Sequence, residues 1–319
     1  MFGRGVIATI YGRAFHAAGH EVEFYVRPGR AADYGTDVQM EIIDGRRAPL
    51  GRQARAIFAP RLRESIDPGD KFDLVVLSVG HHRLSEAASF LAPRIGDASV
   101  LVFGNIWDEP LDAIAPLPAE QVVFGFPQAG GGFDENGVLR GALLGSVILG
   151  ASNASNASAI RRHRVARAAF AQAGIGVREQ EDMRGWLMLH VALDAGMFSQ
   201  ALRVGGLAKM VGNPRALRGA FLTSRELLPV LAARGVDLRR HRAAAIPTRF
   251  PLLIGTLTAA ASAALPIARA SLAAHTDPNA AEPRAVLDDT LRTARELGIA
   301  VPRLEHAVRG LSPFGRCRQ

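Results

Sequence analysis

The stretch "MFGRGVIATIYGRAF" at the head of the chain constrains it most, because Gly3-x-Gly5-x-x-Ala8 runs directly into a helical pattern. Ile7, Ile10, Phe15 and Ala18 form an apolar stripe and predict a helix over Val6–Ala18. Gly3 permits a tight turn, Gly5 lets the backbone approach a ligand, and Ala8 lets the helix lie close to a sheet. The open N–H groups and positive dipole end of such a helix attract an anion. A grouping of this kind follows a β-strand, yet only Met1 and Phe2 stand before Gly3. A few more residues upstream are therefore expected. They would complete a central strand, without which both neighbours would carry unpaired backbone.

Strand and helix signals alternate through the first half. "HEVEFYV" (His20–Val26) reads as a strand ending at Arg27-Pro28-Gly29, and "VQMEIID" (Val38–Asp44) as another. "FDLVVLSV" (Phe72–Val79) is a continuous apolar run, as in a parallel strand covered on both faces. The helix "HRLSEAASFLAPRI" and the strands Ser99–Gly104 and Gln121–Phe126 follow. "GVLRGALLGSVILGA" (Gly137–Ala151) reads as two short strands around a turn. The small-residue connector "ASNASNAS" carries two N-x-S sequons, at Asn153 and Asn156, and reads as a helix cap. A helix over Ala159–Ala173 and a strand "IGVREQ" come next. This order predicts an α/β fold, a Rossmann-type doubly wound sheet with a curtailed first strand. Beyond Asp182 only helical stretches remain: Met183–Leu202, Pro214–Arg234, Arg239–Ala274 in pieces, Ala285–Leu297 and Pro302–Leu311. The expected domains are 1–181, binding a nucleotide, and 182–319, all-helical, for substrate and dimerisation.

The 319 residues, 48% hydrophobic, suffice for two domains and a sizeable core. A single cysteine, Cys317, excludes an internal disulfide framework and a cysteine-based metal cluster, so no metal site is expected and a reducing cytoplasm fits. The formal charge of +8 comes almost wholly from arginine, with two lysines, Lys71 and Lys209. It is spread along the chain and suits small anionic ligands. No nucleic-acid recognition motif accompanies it. The uncharged run Phe250–Ala268 is rich in Ala, Ser and Thr with a proline near each end, which reads as a buried helix and not a membrane span.

Residues at the tips of the strands suggest the ligand. The strand after the first helix ends in "YVRPGR", with Arg27 and Arg30 and no acid to hold ribose hydroxyls. A guanidinium there suits a 2′-phosphate, so NADPH is expected over NADH. Candidate cofactor contacts are Gly3, Gly5, Val6, Ala8, Arg27, the strand end Ser78-Val79-Gly80, and Asn105 in "FGNIW". "GFPQAGGGFDENG" (Gly125–Gly137) is read either as an anion-binding nest or as a flexible hairpin connection.

"FGRGVIATIYGRAFHAAGHEVEFYVRPGR", "FDLVVLSV", "VLVFGN" and "ARELGIAVPRLE" together resemble the ketopantoate reductases, the 2-dehydropantoate 2-reductases. The resemblance implies a Rossmann domain, a helical second domain and an active site between them. It further implies NADPH-dependent reduction of a 2-oxo acid to a 2-hydroxy acid, a step of pantothenate and coenzyme A synthesis. The family's cofactor glycines match Gly3 and Gly5, its phosphate-binding arginine Arg27, and its asparagine near the nicotinamide Asn105. Its glutamate near the substrate matches Glu282 in "NAAEPRA". Its catalytic lysine, in Trp-x-Lys, finds no match: Trp186 aligns, but Met188 stands at the lysine, and Ala192 and Gly196 at the two asparagines that follow. The family's second lysine is Gly80 here. Lys71 lies before a strand and Lys209 far along the second domain, so the proton-donor candidates are His81 and His82, with Asp194 behind them and His190 turned from the Met188 face. Three functions are open: a reductase of this type, a coenzyme-binding sensor or scaffold without catalysis, and an opine- or imine-type reductase. The apolar helical half predicts a homodimer.

Overall fold

The computed structural model describes residues 1–152, 157–273 and 281–309. The sequons at Asn153 and Asn156, and Cys317, lie outside the described residues. The chain divides into two compact units, Met1–Met183 and a second beginning at Arg184.

In the first unit, α1 (Val6–Ala17) leads to β1 (Glu23–Tyr25), then β2 (Val38–Asp44), β3 (Arg52–Phe58), β4 (Arg61–Arg63) and β5 (Leu74–Leu77). Next come α2 (Leu84–Leu91), β6 (Ser99–Phe103), the single turn α3 (Pro110–Ala113) and β7 (Val122–Phe126). The unit closes with β8 (Ala129–Phe133), β9 (Leu139–Leu143), β10 (Ser146–Gly150), α4 (Ala157–Gln172) and β11 (Gly176–Gln180). β1 pairs in parallel with β4, and β5, β6 and β7 form a parallel ladder that β10 extends antiparallel and β11 parallel to β10. The inner strands of this ladder are apolar apart from Ser99, and all five residues of β6 are buried, as a sheet covered on both faces requires.

The missing central strand is present as one residue. Phe2 makes parallel bridges to Tyr25 on one side and Leu77 on the other. Its N–H donates to the Val76 carbonyl at 2.9 Å, while the Tyr25 N–H donates to the Met1 carbonyl and the Gly3 N–H to the Tyr25 carbonyl, both at 2.9 Å. The Phe2 ring stacks on Tyr25 at 5.0 Å, and Tyr25 stacks on Phe90 at 4.9 Å. The sheet therefore runs β4-β1-Phe2-β5-β6-β7-β10-β11, and the direction of winding reverses at Phe2. This is the Rossmann-type doubly wound fold.

Three details depart from the sequence reading. β9 and β10 are not a hairpin: β10 joins the main sheet, whereas β9 pairs with β2 and β8 in a second sheet of order β3-β2-β9-β8. The glycines of "QAGGGF" form β8, and a Cβ on Gly131 or Gly141 would overlap the facing backbone. Their absent side chains let β8 and β9 approach; they do not form an anion nest, and the connection is an ordered hairpin. Third, α1 is closest to the sheet at Gly12, where a Cβ would overlap the Phe24 ring, although Ala8 too is buried in the core.

The second unit is helical: α5 (Met183–Val204), α6 (Pro214–Glu226), α7 (Leu228–Ala233), α8 (Ile246–Arg249), α9 (Pro251–Ala264), α10 (Pro266–Ala273), α11 (Ala281–Glu296) and α12 (Pro302–Arg309). Pro229 and Pro266 interrupt what would otherwise be longer helices. The uncharged run is thereby bent by 109° between α9 and α10, and among the described residues no single helix is long and apolar enough to cross a membrane.

Burial pulls the Met1 amine from 8.0 down to about 5, against the pull of Glu23 in the other direction. The unfolded chain thus binds a proton between pH 5 and 8 that the native one lacks, so stability rises with pH across that window. The expected gain is on the order of 4 kcal/mol. In chemical denaturation, the part of the rise above pH 6.5 should vanish on acetylating the amine.

Candidate functional site

In a doubly wound sheet the crevice lies past the carboxyl ends of the strands, where winding reverses. Here that point is Phe2, and the segments leaving it and its neighbours are Gly3–Gly5, Arg27–Arg30, Ser78–Gly80 and Gly104–Asn105. Six of the sequence-derived candidates, Gly3, Gly5, Arg27, Ser78, Gly80 and Asn105, thus come to one edge of the first unit.

Gly3 takes φ +89°, which only glycine adopts without strain. Gly5 caps α1 without a side-chain bond, and the first turn carries no acid. The leading N–H groups of the helix are thereby left for an anion. Thr9 donates back to the Gly5 carbonyl at 2.8 Å and fixes this turn. No atom outside the immediate chain lies within 4 Å of where a Cβ would stand on Gly3 or Gly5. Val6 begins the helix.

At the tip of β1, Arg27 and Arg30 are both exposed, but they differ in engagement. Arg30 pairs with Asp33, whereas no ion pair of Arg27 occurs among the described residues. The structure adds two residues here that sequence reasoning missed. Glu64, just past β4, accepts the Ala31 N–H at 2.7 Å, and N–H groups of Ala31 and Gly29 hold its carboxyl below the usual carboxylate range. Arg4, the variable residue between the two glycines, lies over the rings of Tyr34 (4.8 Å) and Phe133 (5.7 Å). Its Nε is buried with no hydrogen-bond partner, and burial lowers its pKa. Only its place inside the glycine pattern pointed to it.

Past β5, the Ser78 hydroxyl is also buried without a partner. Val79 and Gly80 lead into a short turn, His81–Arg83, before α2. His82 is exposed and lies across Gly80, where a Cβ would meet its ring at 2.9 Å. His81 is half-buried and meets His82 edge-on at 5.9 Å. Asn105, two residues past β6, is 8% exposed.

Residues 1–154 match the family model described as Ketopantoate reductase PanE/ApbA. The match covers most of the first unit, Met1–Met183. Solved structures resemble the chain over nearly its whole length. One is a 2-dehydropantoate 2-reductase from Geobacter metallireducens GS-15, at 18% identity and TM-score 0.67, covering 97% of this chain and 96% of that one. Another is D-mandelate dehydrogenase in a ternary complex with NADH and anilino(oxo)acetate, at 16% identity and TM-score 0.67, with 97% and 96% coverage. A dimeric ketopantoate reductase from Staphylococcus aureus gives 15% identity and TM-score 0.62, with 97% of each chain covered. At such identities the likeness speaks for the fold. Comparison with curated proteins gives no match.

Met188 and Ala192 are fully buried on α5. A Cβ on Gly196 would overlap Ser224 and the Ala220 carbonyl of α6, and the Ser224 hydroxyl bonds back to the Leu193 carbonyl at 3.3 Å. At its Gly196 end, the face that reads as stripped of polar groups is a close helix contact. Trp186, His190 and Asp194 occupy a different face: the His190 ring stacks on Trp186 at 5.1 Å, and its Nε2 lies 3.5 Å from Asp194. Burial lowers the His190 pKa to about 4. Glu282 stands in the first turn of α11, and Lys209 on a short turn after α5. Among the described residues no cluster of three or more His, Cys, Asp or Glu could hold a metal.

Gly12→Val should force α1 off β1 and cost roughly 2–3 kcal/mol, read as a fall in urea midpoint. The His190 ring protons in NMR should show a neutral imidazole at pH 6, with titration near 4.

Proposed function

We propose that the protein is an NADPH-dependent reductase converting a small 2-oxo acid to the 2-hydroxy acid, in the manner of ketopantoate reductases. The observation that carries this reading is the crevice at Phe2, where the uncapped start of α1 stands beside a strand tip bearing the unpaired Arg27. A dinucleotide fits the residues there, given the open space over Gly3 and Gly5 and the unpartnered buried polar atoms of Ser78 and Arg4. The leading N–H groups of α1, from Val6 through Ala8, would hold the diphosphate, and Arg27 the 2′-phosphate. Ser78, Val79 and Gly80 would line the way to the nicotinamide. When bound, the reduced coenzyme supplies a hydride to the carbonyl carbon.

The chain's own groups then have two tasks. The buried Asn105 amide orients the substrate carbonyl by donating a hydrogen bond. The alkoxide that hydride addition leaves needs a proton. His81 or His82, on the turn after Gly80, delivers it in place of the family's lysine, and Glu282 is the remaining acid candidate. The resemblance to D-mandelate dehydrogenase supports testing aryl 2-oxo acids beside ketopantoate.

Two observations support second readings. Glu64 at the β1 tip favours the unphosphorylated coenzyme, NADH, because a carboxylate repels a 2′-phosphate. The fully buried Met188 favours a coenzyme-binding protein that does not turn over. A homodimer is supported by Phe250, Leu253 and Leu257, exposed at helical spacing from the start of α9. A cytoplasmic setting is consistent with a lone cysteine.

Coenzyme oxidation followed with ketopantoate and phenylglyoxylate tests the reading. Arg27→Ala should weaken NADPH binding by roughly tenfold or more and leave NADH binding nearly unchanged. Binding of NADPH without turnover of any 2-oxo acid would select the sensor. Leu253→Glu should lower the sedimentation-derived mass if the α9 face joins two copies.

A further inference from the structure

The helical unit has a groove of its own, of about 870 Å³, walled by the last turns of α5, by α6 and by the start of α12. None of its lining residues is among the coenzyme or proton-donor candidates.

Its walls carry mainly one sign of charge. Arg203 comes from α5, Arg215 from α6, and Arg303 and His306 from α12, and all four are exposed. Among the described residues a single carboxylate, Glu226, lines the groove with them. It is already engaged. One oxygen accepts the N–H of Arg303 at 2.8 Å and of Leu304 at 3.4 Å, and the other lies 3.5 Å from the Arg303 Nε. Arg203 and Arg215 make no ion pair among the described residues. Arg215 also stands in the first turn of α6, where the helix dipole disfavours a cation. Like charges gathered in one concavity repel, and low-dielectric walls focus their field on whatever enters.

The floor is polar and buried. Gln200 is 9% exposed and Thr223 1%. A Cβ on Gly219 would stand 2.9 Å from the Gln200 Oε1, so the bare glycine leaves room for this amide against α6. Gln200 in turn accepts an Arg203 Nη1–H at 3.3 Å. That bond steadies the guanidinium and leaves the rest of its fork without a bond among the described residues.

We propose that this groove binds a small polyanion, one carrying two or more phosphate or carboxylate groups. Arg203 and Arg215 would grip one group by charge-assisted bonds, and Arg303 with His306 a second. A ligand with one anionic group leaves cations of three helices unanswered; a polyanion answers them together. The volume admits a molecule of metabolite size. Binding ties α5, α6 and α12 to one another, so the ligand stabilises the helical unit.

The test titrates the full chain by calorimetry with inorganic pyrophosphate, citrate and inorganic phosphate. It is run at low salt without coenzyme, so that the outcome is independent of the reductase reading. At least one polyanion should bind about tenfold or more tighter than inorganic phosphate, and should raise Tm. Binding of pyrophosphate alone marks a phosphorylated ligand, and binding of citrate alone a polycarboxylate. Arg203→Ala and Arg215→Ala should each weaken that binding roughly tenfold. Both should keep the unliganded Tm of the unsubstituted chain, since the side chains they remove are exposed. Arg27→Ala should leave the binding intact. No heat from either polyanion, equal affinity for inorganic phosphate, or heat unchanged in the Arg203→Ala/Arg215→Ala double variant would overturn the proposal. So would heat lost in Arg27→Ala, because the anion would then sit in the crevice of the first unit.

Discussion

One residue carries the main-chain continuity of the α/β unit. Phe2 bonds through its backbone to β5 and bridges β1, and its ring is clamped in a stack with Tyr25 and Phe90. This rung stands at the point of winding reversal. The turn at Gly3, the open start of α1 and the strand ends at Ser78 and Asn105 all take their positions from it.

Much of this architecture was legible in the residues. The apolar stripe of α1 and the unbroken runs of β5 and β6 announce themselves, because one face or both faces are covered and the period follows. β3 and β4 were missed because arginine alternates with small or apolar residues on an exposed surface, which leaves little apolar signal. β8 was missed because glycine is a poor strand former in isolation, and its use here is visible only against β9. The fate of β9 and β10 turns on partners chosen far along the chain. Local patterning predicts two strands but not two sheets.

The site divides in the same way. Gly3, Gly5 and Arg27 belong to a contiguous pattern whose physics is local. Glu64 reaches the same turn from 33 positions beyond Ala31, and no short-range signal leads to it. Arg4 hid in plain view as the variable letter of a glycine motif. The histidines were legible as following a strand end, but not which of the two is shielded.

The close contact of α5 with α6 at Gly196 bears on which side chains this stretch of α5 can carry. Methionine at 188 is fully enclosed, and two turns further along, at Gly196, the helices meet so tightly that a single methyl would collide. An ammonium set at 188 would be cut off from water. Lysine at 188 would therefore introduce a stranded charge unless its surroundings were loosened first.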